Sequence, residues 1–109
     1  AENKGKWDRY QAECLGYLIK RLSQMEEGNG SVLDNTCIFY GSSNSKTHNN
    51  NNYPLILAGG KNMGYKHGQY LTFGRDVPLA NLFVTIQKRM GVKADSYADS
   101  TGSLDELVA

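Results

Sequence analysis

The chain has little of several features that would point to a function. Its 109 residues include only two cysteines, Cys14 and Cys37, which are too few for a disulfide scaffold and form no CxxC or Cys/His zinc motif. Twelve basic residues balance eleven acidic ones, so the formal charge of +1 gives no electrostatic reason to expect a nucleic-acid or membrane-surface partner. No apolar run reaches the length of a membrane span.

The N-terminal residues do not have the pattern of a secretory signal peptide, and the chain begins without Met. This start favours a processed chain or a segment of a longer protein.

Apolar residues near the N-terminus recur at alternating three- and four-residue steps. They are Trp7, Tyr10, Cys14, Leu18, Leu22 and Met25. This spacing predicts an amphipathic helix over roughly residues 7–26, ended by the glycines at 28 and 30. Cys14 lies on its apolar face and Cys37 within a predicted strand, which favours two buried free thiols. A disulfide between them is an open alternative.

The rest of the chain predicts short strands and a second helix. Residues 36–40 and 54–58 are apolar on both faces and indicate two buried strands. Residues 61–77 indicate loop and hairpin, with a third strand at 69–73. Pro78 opens a helix with apolar residues at 79, 82, 83, 86 and 90, which Gly91 caps, and residues 103–107 suggest a last helical turn. Two buried strands need sheet neighbours, so we expect residues 1–109 to be a single segment of a larger α/β domain.

The loop at residues 41–53 is the candidate chemical site. It contains His48, Ser42, Ser43, Ser45, Thr47, Asn44 and the run from Asn49 to Asn52. A histidine among hydroxyls and amides can bind a metal, orient a phosphate-like anion or transfer protons, and the amides can donate hydrogen bonds to an oxyanion. The same residue types are common in ordinary turns, which is the competing interpretation.

Other polar positions favour structural roles. His67 and residues 99–102 have the composition of turns, and Asp34 is placed to cap the turn before the first strand. A nucleophile at Ser42 or Ser43 would need a general base and an orienting acid, and the G-x-S-x-G pattern is absent.

An ordered set of motifs extends along nearly the whole chain. It comprises Leu33-Asp34-Asn35-Thr36, Tyr40-Gly41-Ser42, His48-Asn49, Pro54 and Ala58-Gly59-Gly60. The flanking turn at residues 27–30, the helix start at 78–82 and the tail at 95–102 extend the set. It resembles the C-terminal region of a bacterial exported family of unknown function in the alkaline phosphatase/sulfatase superfamily.

The resemblance implies the C-terminal portion of an alkaline-phosphatase-like three-layer sandwich, with helices flanking a mainly parallel sheet. It implies an exported, periplasmic or cell-surface protein and metal-dependent hydrolysis of phosphate or sulfate esters. His48 would be a ligand of a divalent zinc, calcium or magnesium ion, with Ser42, Ser43, Asn44 and Asn49 as further polar groups of the loop.

The loop has no acidic residue. The resemblance implies that the nucleophile and the remaining ligands lie upstream, and the remainder of the polypeptide or a partner chain is expected to complete the sheet. The alternatives are a non-catalytic exported binding or structural protein, and an independent small domain whose own helices cover both faces of its strands.

Overall fold

The computed structural model describes residues 1–44 and 48–109. Its regular elements are helix α1 (Glu2–Gln24), strands β1 (Glu26–Glu27), β2 (Gly30–Ser31), β3 (Cys37–Gly41) and β4 (Leu55–Gly59), and helix α2 (Ala80–Arg89). Short 3₁₀ helices occupy Val32–Asn35, Lys61–Met63 and Asp105–Leu107. The last of these confirms the helical turn predicted near the C-terminus. None of the helices described is both long and apolar enough to cross a membrane.

Helix α1 starts earlier than its apolar periodicity predicts. The added first turns carry oppositely charged side chains four residues apart, namely Lys6 with Glu2 and Lys4 with Asp8. Such pairs stabilise a helix by a few tenths of a kcal/mol each, about 0.2–0.5. The helix ends where Met25 turns to an extended conformation, and the chain then folds back through the β1–β2 hairpin.

The apolar stripe of α1 is largely uncovered. No residue of this helix is buried, although Leu15, Ile19 and Leu22 are half-buried. The helix contacts β2 and the 3₁₀ helix at Val32–Asn35, which leaves one side of the stripe open. The prediction that Cys14 is a buried thiol is therefore wrong, because Cys14 is exposed. Cys37 is half-buried, and both cysteines are free.

Strands β3 and β4 form an antiparallel hairpin. Cys37 pairs with Gly59 at one end and Gly41 with Leu55 at the other. β1 and β2 form a second antiparallel two-stranded sheet, and both sheets stand alone among the described residues. The predicted mainly parallel three-layer sandwich is therefore wrong. A parallel pair usually needs a helical crossover, whereas the Ser- and Asn-rich connection at residues 42–54 reverses the chain direction.

The hydrophobic core lies around α2. Its buried apolar side chains are Ile38, Tyr65, Ala80, Leu82, Val84 and Leu104. Phe39 of β3 meets Phe83 of α2 edge to face, with ring centroids 5.7 Å apart, which places the hairpin against this helix. The prediction of strands buried on both faces is wrong, because Phe39 and Ile56 remain partly exposed.

Two buried polar side chains of α2 hold the C-terminal tail. The Asn81 Oδ1 accepts hydrogen bonds from the amides of Thr101 (2.8 Å) and Gly102 (3.3 Å). The Thr85 hydroxyl accepts from the Leu104 amide at 2.7 Å and donates to the Asn81 carbonyl oxygen at 3.1 Å. Further along, the Lys66 amide donates to the Leu107 carbonyl oxygen. The tail is thus fixed between α2 and the segment that follows β4.

The segment between β4 and α2 contains no strand at residues 69–73, so the predicted third strand is wrong. Tyr70 is 91% exposed in this segment. Since no strand lies beside it among the described residues, its backbone cannot form the hydrogen bonds of a sheet. Helix α2 begins two residues after Pro78, and Gly91 follows it with a left-handed φ of 83°, as the predicted cap requires.

Candidate functional site

The loop that joins β3 to β4 lies at one end of the hairpin. Gly41 is the last residue of β3, and a Cβ there would fall 3.1 Å from the Pro54 carbonyl oxygen. The two ends of the loop therefore approach closely. Ser45 and Thr47, both candidates from the sequence, lie outside the described residues.

Local hydrogen bonds shape both described sides of the loop. The Ser42 hydroxyl oxygen accepts from the Asn44 amide at 3.1 Å, and the Asn49 side-chain oxygen accepts from the Asn51 amide at 2.9 Å. Such side-chain-to-backbone bonds two residues apart explain why Ser and Asn occupy these positions. Ser43 is exposed beside the first turn.

His48 has an unusual backbone conformation. Its φ is 59°, in the left-handed region that non-glycine residues rarely adopt, and Asn52 has a φ of 52°. The His48 side chain is exposed. The loop thus presents an imidazole to solvent, with amide groups of the asparagine run following it along the chain.

The described residues do not by themselves fit a metal ion. Within 1–44 and 48–109, no three or more His, Cys, Asp or Glu side chains come together as a potential metal-holding group. Zinc takes four N, S or O ligands, or three and a water, while calcium and magnesium prefer carboxylate oxygens. One imidazole among neutral hydroxyls and amides meets neither requirement. What this arrangement can do is hydrogen-bond to an anion.

The other polar candidates have structural roles. The Nε2 of His67 lies 2.6 Å from the Gly59 carbonyl oxygen, and its ring is near that of Tyr65. Asp34 and Ser31 form a reciprocal capping box at the 3₁₀ helix, which confirms the predicted capping role of Asp34. In the tail, the Ser100 hydroxyl accepts from the Tyr97 amide at 2.8 Å, which confirms the turn predicted there.

A shallow cavity of about 300 Å³ lies elsewhere, at the C-terminal end of α2. Its lining includes Lys88, Arg89, Ser103 and Asp105. The Ser103 hydroxyl donates to the Asp105 carboxylate at 2.8 Å, and charges of both signs line the cavity. None of the residues lining this cavity belongs to the loop of His48.

No protein-family model, no curated protein and no solved structure matches this chain.

Proposed function

We propose that this chain contributes an anion-binding loop to a larger exported protein that hydrolyses phosphate or sulfate esters. The resemblance of the chain's motifs to the alkaline phosphatase/sulfatase superfamily supports the reaction class and the exported location. The observation that carries the proposal is the exposed imidazole of His48 in a loop whose sequence is rich in hydroxyls and amides. These groups match the oxygens of a phosphate or sulfate ester, which accept several hydrogen bonds.

The part assigned to this chain is recognition of the anion. A His48 N–H would donate to one ester oxygen, and amide N–H groups of the loop would donate to others. A protonated imidazole would also attract the negative charge, because charge-assisted hydrogen bonds are stronger than neutral ones. The nucleophile, and any metal with its ligands, would come from the remainder of the polypeptide or from a partner chain.

The first test is the intact mass of the native protein from its source. A mass several times 12.1 kDa supports the proposal, since the missing groups then have a place in the same polypeptide. A mass near 12.1 kDa supports it only if a partner chain copurifies and is needed for activity.

The decisive test compares two variants of the native protein. His48→Asn removes the imidazole but keeps a residue that tolerates the left-handed φ of 59°. Thr72→Val is the control, because it changes an exposed position outside the loop. With p-nitrophenyl phosphate and p-nitrophenyl sulfate as substrates, we expect kcat/KM to fall about 10²-fold in His48→Asn, the typical loss for one oxyanion donor. Equal activity in His48→Asn and Thr72→Val would refute the role of His48.

A second candidate function is non-catalytic binding in an exported protein. It is favoured by the lack of a potential metal-holding group among the described residues and by the open apolar stripe of α1. In that case the native protein would bind an aryl phosphate in equilibrium dialysis without releasing the phenol, and His48→Asn would weaken binding. Turnover by the native protein that disappears in His48→Asn would exclude this candidate.

A further inference from the structure

The β1–β2 hairpin contains an asparagine followed by glycine. Its two-residue turn is Gly28-Asn29, and Gly30 begins the returning strand opposite Glu27. Gly28 has a φ of 57° while Asn29 keeps a negative φ, the pattern of a type II′ turn with glycine first. The Asn29 side chain is exposed.

Glycine at residue 30 leaves room for the capping box that follows the hairpin. A Cβ on residue 30 would fall 2.5 Å from the Asp34 Oδ2, which accepts a hydrogen bond from the Ser31 amide at 3.1 Å. The Asp34 amide in turn donates to the Ser31 hydroxyl. A side chain at residue 30 would therefore displace the Asp34 carboxylate from the capping box. Glycine at this position leaves a backbone amide without a neighbouring side chain immediately after Asn29 in the chain.

We propose that Asn29 is a site of spontaneous covalent modification through a cyclic succinimide. The deprotonated Gly30 amide nitrogen attacks the Asn29 Cγ, the bond from Cγ to the side-chain nitrogen breaks, and ammonia leaves with the proton. Water then adds to one of the two ring carbonyls and opens the ring. The product is aspartate or isoaspartate, and no redox partner is needed.

The surroundings of Asn29 favour this reaction more than those of the asparagines at positions 62 and 81 do. Glycine leaves the attacking nitrogen unshielded and lets the backbone reach the ring geometry. The hairpin has only two residues in each strand, so it opens readily and frees the Gly30 amide from its pairing with Glu27. By contrast, Asn62 precedes Met63 and its side-chain amide donates to Asn35 at 2.9 Å. Asn81 is buried and held by the tail.

The modification would loosen the attachment of α1. Either product adds a carboxylate to a region that already contains Glu26, Glu27 and Asp34. Isoaspartate also adds a methylene to the main chain within a two-residue turn, so the pairing of Glu27 with Gly30 cannot persist. The hairpin connects α1 to the 3₁₀ helix at Val32–Asn35, which α1 also contacts directly, so disruption of the hairpin would loosen this packing.

The test is ageing of the intact protein in water enriched in the heavy oxygen isotope, at mildly alkaline pH, followed by peptide mapping. We expect Asn29 to convert at least about tenfold faster than Asn62 or Asn81, a ratio equal to ~1.4 kcal/mol of activation free energy. The product should gain one heavy oxygen atom and include isoaspartate. Conversion of Asn29 no faster than that of Asn62, or aspartate without isoaspartate, would overturn the proposal.

The Asn29→Gln variant tests whether modification of residue 29, and not other chemical damage during ageing, opens the hairpin. Asn29→Gln keeps an exposed amide, but its longer side chain forms the corresponding ring much more slowly. After ageing, the Asn29→Gln variant should keep the hydrogen-exchange protection of the hairpin. The parent protein, aged in the same way, should lose protection in proportion to the isoaspartate formed. Equal loss in both would show that residue 29 does not control the attachment of α1.

Discussion

Glycine at residue 59 ends β4 under two separate constraints. Its φ is 77°, and a Cβ would collide with the Thr36 carbonyl oxygen and approach the Leu33 carbonyl oxygen. Gly68 has almost the same φ, 78°, but a Cβ there meets nothing within 4 Å. The two residues therefore separate the cost of a left-handed backbone from the cost of a steric clash.

We predict different losses of stability when each of these glycines is replaced by alanine. Gly68→Ala should lower the free energy of unfolding by ~1–2 kcal/mol, the cost of left-handed backbone for an L residue. Gly59→Ala should cost more than about 4 kcal/mol, because the clash involves backbone that cannot move freely. Urea denaturation followed by circular dichroism measures both. Equal losses would show that the strand end can shift to relieve the clash.

Tyr65 is buried, and its hydroxyl has no hydrogen-bond partner among the described residues. Burial, together with the neighbouring Cys37 thiol, raises the pKa of Tyr65 well above its ordinary value of 10.0. The folded state therefore favours the neutral phenol. Its contribution to stability is fully present below the unfolded-state pKa and is lost as the pH rises from that value toward the folded-state pKa.

We expect Tyr65→Phe to flatten the alkaline part of the stability profile. At neutral pH the variant should unfold within about 1 kcal/mol of the parent, because the removed hydroxyl makes no hydrogen bond. Above pH ~10 the parent should lose stability faster than the variant. Tyr70→Phe, at a 91% exposed position, is the control and should follow the parent. Identical profiles for all three proteins would contradict the buried-phenol explanation.

Among the elements, α2 organises the part of the chain that packs best. Its apolar side supplies much of the core, and its Asn81 and Thr85 bind the tail through side-chain hydrogen bonds. These two residues are four positions apart, so they lie on the same side of the helix. The apolar spacing at 79, 82, 83, 86 and 90 predicted the helix, but did not reveal that its polar neighbours would be buried.

The tail should lose its attachment when the Thr85 hydroxyl is removed. Thr85→Val keeps the shape of the side chain but leaves the Leu104 amide without its acceptor, which should cost ~1–3 kcal/mol. Thr72→Val, at an exposed position, is the control and should change stability by less than about 0.5 kcal/mol. Hydrogen exchange should show faster exchange at residues 101–104 in Thr85→Val alone. Unchanged protection there would mean that other contacts hold the tail.

At the scale of the whole molecule, the open stripe of α1 has no cover among the described residues. Trp7 and Tyr10 of the stripe are each more than half exposed. Tyr17 is also more than half exposed, and it lies on the same side because it follows Tyr10 by seven residues. Exposed apolar patches of this kind are typical of surfaces that meet another part of a protein. The stripe therefore agrees with the proposal that more polypeptide, or a partner chain, completes this protein.

The stripe predicts a contrast between the isolated chain and the native protein. In the 109-residue chain, Tyr17→Ser should change the free energy of unfolding by less than about 0.5 kcal/mol, since the ring is mostly exposed. Leu82→Ala, in the core, should cost ~2–5 kcal/mol and serves as the positive control. In the native protein Tyr17→Ser should cost several times more, as measured by thermal unfolding. An equally small effect in both would mean that the stripe stays uncovered.

The sequence by itself determined where the main local elements lie. Periodicity located both α-helices, and uncharged apolar runs located β3 and β4 to within one residue. Composition marked the polar loop with His48, and local chemistry identified the capping role of Asp34. Each of these features depends on residues close in the chain, so spacing and side-chain type carry the information.

Only the tertiary structure decided how those elements meet. Strand direction depends on the path of the connection at residues 42–54, and an apolar run is compatible with either a parallel or an antiparallel partner. The exposure of Cys14 depends on which side of α1 finds a neighbour, and periodicity cannot distinguish a covered stripe from an open one. The burial of Asn81 and Thr85 requires a tail some twenty residues away, as their contacts with Thr101 and Leu104 show. Such long-range contacts are absent from any local pattern, and for this reason the architecture differed from its prediction while both α-helices and strands β3 and β4 were found close to their predicted positions.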